Sequence, residues 1–103
     1  MRHLLFVLVV FALCATPAFA APVPNWDIKA FCAEVAKYAG GSAQIELQCR
    51  KDEAAALKAI ASTNASARSL KTCAEIGAVA GKSYQIMEQC IKDEMAAEAE
   101  LAK

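Results

Sequence analysis

The sequence predicts an all-α protein: two disulfide-stapled antiparallel helical hairpins, related by an internal repeat offset by 41 residues and forming a small four-helix domain. Three observations carry that prediction. The segment from Cys32 to Glu53 recurs from Cys73 to Glu94, with 13 of its 22 positions identical, and self-similarity at a fixed period marks a repeated supersecondary unit. Apolar residues recur at helical spacing and nowhere alternate with a period of two, which argues against strands. Four cysteines fall inside the repeat, two per copy, each pair spaced C-x16-C.

The chain has a fifth cysteine, Cys14, which belongs to a leader. Met1-Arg2-His3 is a short positive start, Leu4 to Leu13 is an unbroken apolar run, and Ala18-Phe19-Ala20 supplies small residues before Ala21. In that order these read as a secretory signal peptide over residues 1–20, cut between Ala20 and Ala21. The run is too short to cross a hydrocarbon core of ~30 Å, which takes about 20 residues, and Leu13 directly before Cys14 does not suit lipoprotein processing. Cleavage removes Arg2, His3 and Cys14, leaving 83 residues with four cysteines, no histidine and a net charge of −1. An even cysteine count in an exported chain points to disulfides. The expectation is a periplasmic or secreted protein with no membrane span in its mature part.

Residues 21–26 form an N-terminal extension ending at Trp26. Hairpin 1 is expected over 27–61. Its first helix, 27–39, carries Ile28, Phe31, Cys32, Val35 and Ala39 as one apolar stripe. Asn25 or Asp27 serves as its cap, and Gly40-Gly41 ends it because glycine accepts the left-handed helix exit. Ser42 caps the second helix, 43–61, whose face is Ile45, Cys49, Ala56 and Ile60. Ser62-Thr63-Asn64-Ala65-Ser66 is the linker, 62–66. Hairpin 2, 67–103, repeats the plan with helices at 67–80 and 84–102. Leu70, Cys73, Ile76, Gly77 and Ala80 precede the turn at Gly81; Ile86, Cys90, Ala97 and Leu101 follow the cap Ser83.

Helical geometry favours the pairing Cys32–Cys49 with Cys73–Cys90 over the two inter-hairpin schemes. Cys32 lies eight residues before Gly40 and Cys49 eight after Gly41. At 1.5 Å per residue both sit ~12 Å from the turn, level on antiparallel helices. The staples matter because the composition is 57% hydrophobic but only 7% aromatic. Small side chains therefore dominate, and a core of this kind is marginal at this size.

The chemistry available to the mature chain is narrow. Without histidine there is no Ser-His-Asp triad, Cys-His pair or histidine-ligated zinc. There is no C-x-x-C redox motif, C-x-x-C-H haem site, phosphate loop or EF-hand spacing, and neutral charge gives no case for nucleic acid. No cofactor, metal or catalytic residue is expected, and carboxylates are the main remaining source of acid–base chemistry, the exception to a non-enzymatic reading. The recurring carboxylates Glu34 and Glu75, Asp52 and Asp93, Glu53 and Glu94 read as solvated helix faces, with Glu53 and Glu94 one turn past a cysteine and bordering the bridges. Ser42, Gln44 and Gln48, repeated as Ser83, Gln85 and Gln89, read as caps and surface amides. Trp26, Glu53 and Glu94 are the candidate surface contacts; Trp26 is expected to cover one end of the core, and Met87 and Met95 to pack inside it. Asn64-Ala65-Ser66 matches a glycosylation sequon, relevant only to a eukaryotic product.

Pro24-Asn25-Trp26-Asp27, then C-x-E-V-A…G-G-S…C from Cys32 to Cys49 and G-x-S-Y…C-I-x-x-E from Gly81 to Glu94, resembles small uncharacterised exported proteins of Gram-negative bacteria with tandem C-x16-C helical hairpins. The likeness spans nearly the whole mature chain. It implies a periplasmic address and carries no activity. Twin C-x9-C hairpins differ in placing two cysteines on each helix, and saposin-like lipid binders in using more cysteines and stronger apolar faces. The functional expectation is a non-enzymatic module of the cell envelope that binds a protein partner. The alternative is a carrier of a small apolar or amphipathic ligand between the hairpins.

Overall fold

A side-chain cap opens each of the four helices. In the computed structural model, which describes residues 23–103, these are α1 (Ile28–Tyr38), α2 (Ala43–Ala61), α3 (Ala67–Val79) and α4 (Tyr84–Leu101). The expected leader, its expected Ala20–Ala21 cleavage point and Pro22 lie outside the described residues. Asp27 accepts from the Ala30 amide, Ser42 from Ile45, Ser66 from Ser69 and Ser83 from Ile86. Each such bond satisfies an amide that has no partner within its helix and is worth about 1 kcal/mol. The expected spans differ from these only where a cap residue was counted into the helix.

Both hairpin turns close in the same way. The Gly41 N–H donates to the Ala36 carbonyl at 2.8 Å, and the Lys82 N–H to the Gly77 carbonyl at 2.9 Å. The chain reverses through positive φ at Gly40 and Gly41 (75° and 79°) and at Gly81 and Lys82 (90° and 68°). The second copy thus holds a lysine where the first has glycine, in a left-handed conformation that costs about 1–2 kcal/mol for a residue with a Cβ.

The bridges pair as the spacing indicates: Cys32–Cys49 and Cys73–Cys90, each with Cα atoms 5.5 Å apart. They staple α1 to α2 and α3 to α4. The hairpins then join through α2 and α4, so the helices form a row with α1 and α3 outermost rather than a closed four-way bundle. Two cross-contacts fix the direction of that joint. Tyr84 lies against Glu53 and Met95 against Thr63, with chain separations of 31 and 32 residues. Residue numbers rise together, so α2 and α4 run parallel. Because the sequence repeats at 41 residues, hairpin 2 is slid along α2 by about ten residues, or ~15 Å.

The core gathers at this joint: Ala56 and Ile60 of α2, Leu70 and Cys73 of α3, and Tyr84, Met87 and Ile91 of α4, with Trp26, Leu57 and Met95 packed against them. This corrects the apolar face expected for α4. Ile86 is largely exposed, Ala97 is exposed and Leu101 is 86% exposed. Ile45, the equivalent of Ile86 on the expected α2 face, is exposed to the same 40%, so that position faces outward in both hairpins. Leu101 differs from its equivalent Ile60 because Ile60 lies in the joint with hairpin 2, while Leu101 has no such cover among the described residues. The α2 side, which α1 does not meet, selects Tyr84, Met87 and Ile91. Among the described residues, no helix is long and apolar enough to cross a membrane.

Candidate functional site

The inter-hairpin joint is centred on a carboxylate. Glu53 sits in the middle of α2 with 0% of its surface exposed. One of its oxygens accepts from the Ser83 hydroxyl at 2.7 Å and the Gln85 side-chain amide at 3.1 Å, with the Gln85 N–H at 3.4 Å. The other accepts from the Tyr84 N–H at 2.6 Å. These are the first amides of α4, which have no acceptor within their own helix, at the positive end of its dipole. A lone buried carboxylate is costly to desolvate; a helix start supplies both donors and compensating potential. Glu53 therefore joins one hairpin to the other. This overturns its reading as a solvated surface residue, and it was missed although Glu53, Ala56 and Ile60 lie on one stripe at i, i+3 and i+7.

Glu94, its equivalent in the second copy, is only half-buried, and the bonds made by Glu53 have no counterpart there among the described residues. A different residue, Glu98, does a similar job for α3: it accepts from the hydroxyls of Ser66, that helix's cap, and Ser69.

Trp26 lies where the extension meets hairpin 2. Its ring centroid is 4.9 Å from that of Tyr84. The Trp26 backbone N–H donates to the Tyr84 hydroxyl at 2.7 Å, and that hydroxyl in turn donates to the Pro24 carbonyl. The ring also rests on Gly77, where an added Cβ would come within 2.7 Å of it. Trp26 thus covers one end of the core, as its size suggests, and ties residues 24–26 to the second hairpin.

One open groove is bounded by this strap. It has a volume of about 650 Å³ and runs along α1, with Trp26, Phe31, Val35 and Tyr38 as apolar lining, Asp27 and Glu34 on the α1 side and Gly81-Lys82 opposite. The groove joins the two hairpins, since Phe31 lies against Gly81, and Tyr38 is 86% exposed at its edge. The sequence reading singled out Trp26 here but not Phe31, Tyr38 or Lys82. Lys82, in its left-handed conformation, lines the same groove. Between α2 and α4, where the core residues pack, lies a smaller cleft of about 140 Å³ near Ile60, Ile91 and Met95.

Among the described residues, no three His, Cys, Asp or Glu side chains are grouped to hold a metal ion. Comparison of the chain with family models, curated proteins and solved structures gives no match. The meaning of the groove therefore rests on its geometry.

Proposed function

We propose that this chain is an exported, non-enzymatic helical module of the cell envelope that binds a protein partner through the groove along α1. The observation that supports this reading is an open, aromatic-lined groove with a charged rim, held between two stapled hairpins. Interfaces concentrate Trp, Tyr and Phe at their centre and polar groups at their edge, and buried aromatic anchors carry most of the binding energy. Tyr38 and Phe31 are the anchors, with Asp27, Glu34 and Lys82 as the rim. The buried carboxylate does structural work in this reading, leaving the groove to act by contact.

The test places a photo-crosslinking amino acid at Tyr38 in exporting cells, with Lys58 as a control position. One dominant protein adduct at position 38 that is lost in Glu34→Lys supports the reading. The same adducts at both positions, or none at 38, overturn it. Sequencing the exported product checks the address, with Ala21 expected as its first residue.

A further inference from the structure

The joint between the hairpins has a donor half and an acceptor half, and the repeat supplies each half twice. The acceptor stripe Glu53-Ala56-Ile60 is buried under hairpin 2. Its repeat, Glu94-Ala97-Leu101, keeps the same kinds of residue at the same spacing but is exposed at Ala97 and Leu101, the latter 86%, and half-buried at Glu94. The donor half is the helix start Gly81-Lys82-Ser83-Tyr84-Gln85, engaged on Glu53. Its repeat, Gly40-Gly41-Ser42-Ala43-Gln44, retains the Gly, Ser and Gln and is open to solvent apart from a half-buried Ser42.

We propose that Glu94 of one copy receives the α2 start of a second copy, Ser42 to Gln44, repeating between chains the joint that Glu53 makes within one. The two unused halves match each other where they depart from the used ones. The aromatic pair Tyr84 and Trp26 is replaced on both sides by the small pair Ala43 and Ala67. Leu57 and Ile91, both in the apolar cluster, are replaced by Glu98 and Arg50, an opposite-charge pair. Within the chain Arg50 pairs with Glu46 at 3.1 Å and Glu100 with Lys103 at 2.8 Å, and Glu98 accepts from Ser66 and Ser69. The net complementarity therefore comes from Glu94 and Asp93 on α4 against Lys51 and the positive start of α2. Losing the Met87 and Ile91 ridge to Glu46 and Arg50 makes this contact weaker than the internal one and sensitive to salt. Because donor and acceptor are different patches, the contact is heterologous and continues head to tail. It uses residues other than the proposed partner groove, and either proposal can fail alone.

Sedimentation velocity of the oxidised chain over a rising concentration series at low salt is the test. The expected result is growth from monomer to dimer and longer species. Glu94→Lys removes the acceptor, and Gln44→Glu sets a like charge against it. Each raises the dissociation constant by about tenfold or more while the melting curve stays that of the parent. An equimolar mixture of the two variants pairs the intact donor of one with the intact acceptor of the other, so it dimerises. A chain that stays monomeric throughout, association indifferent to both substitutions, or a mixture that does not dimerise would each overturn the proposal.

Discussion

A carboxylate that gives up water must recover its hydrogen bonds inside the fold, and Glu53 does so from a hydroxyl, a side-chain amide and the opening amides of α4. Hydrogen bonds to charged groups contribute about 1.5–3 kcal/mol each, and removing one side strands the other. Glu53→Ala is therefore expected to lower the unfolding free energy by about 3 kcal/mol. The same change at half-buried Glu94 is expected to stay within about 0.5 kcal/mol. Urea titration of the two variants at micromolar concentration separates these outcomes; equal losses would mean that Glu53 does not hold the joint. Gly77 offers a second check at this scale. An added Cβ meets the Trp26 ring at 2.7 Å and the Met87 Cβ at 3.2 Å, and overpacking of this kind costs about 1–3 kcal/mol. Gly77→Ala should displace the chain's single tryptophan and red-shift its emission in the native state, whereas an unchanged spectrum would show that the strap moves freely.

Individual helices were legible because capping and periodicity are local properties. Ser42 and Ser83 mark two helix starts, and the level placement of Cys32 with Cys49 marks the first staple, while Ser66, read only as linker, caps a third helix. How the hairpins meet was not legible from the repeat itself. Gly77, Tyr84, Met87 and Ile91 are buried in the second copy, and all four stand where the copies differ. The identical positions define the hairpin, and the differing ones define what it packs against. That is why a stripe copied from α2 onto α4 pointed to Leu101, and why Glu53 and Glu94, identical in type, end in different surroundings. Each bridge closes a loop with a sequence separation of 17 residues, and a loop of that size contributes ~3 kcal/mol by constraining the unfolded chain. Reducing both bridges should thus unfold the domain near 37 °C. Circular dichroism with and without reductant tests this, and an unchanged helical signal in the reduced chain would contradict it.

At the scale of the molecule, the stapled hairpins are coupled by one parallel contact. The 15 Å slide that brings α4 onto α2 also sets the α3–α4 turn against α1, so the joint creates the groove lined by Trp26, Phe31 and Tyr38. A binding surface built this way requires the two hairpins to behave as a unit, and Glu53 at the start of α4 is where that requirement is met. The repeat provides an internal control. Tyr84 and Ala43 are each the first residue of a helix, a position whose amide has no acceptor within the helix and ordinarily exchanges fast. Amide hydrogen exchange of the dilute, oxidised monomer therefore tests the central claim most directly. The Tyr84 amide should exchange only with global unfolding, while the Ala43 amide exchanges freely. Equal, rapid exchange at both would contradict the account, because Glu53 would then not be holding the second hairpin to the first.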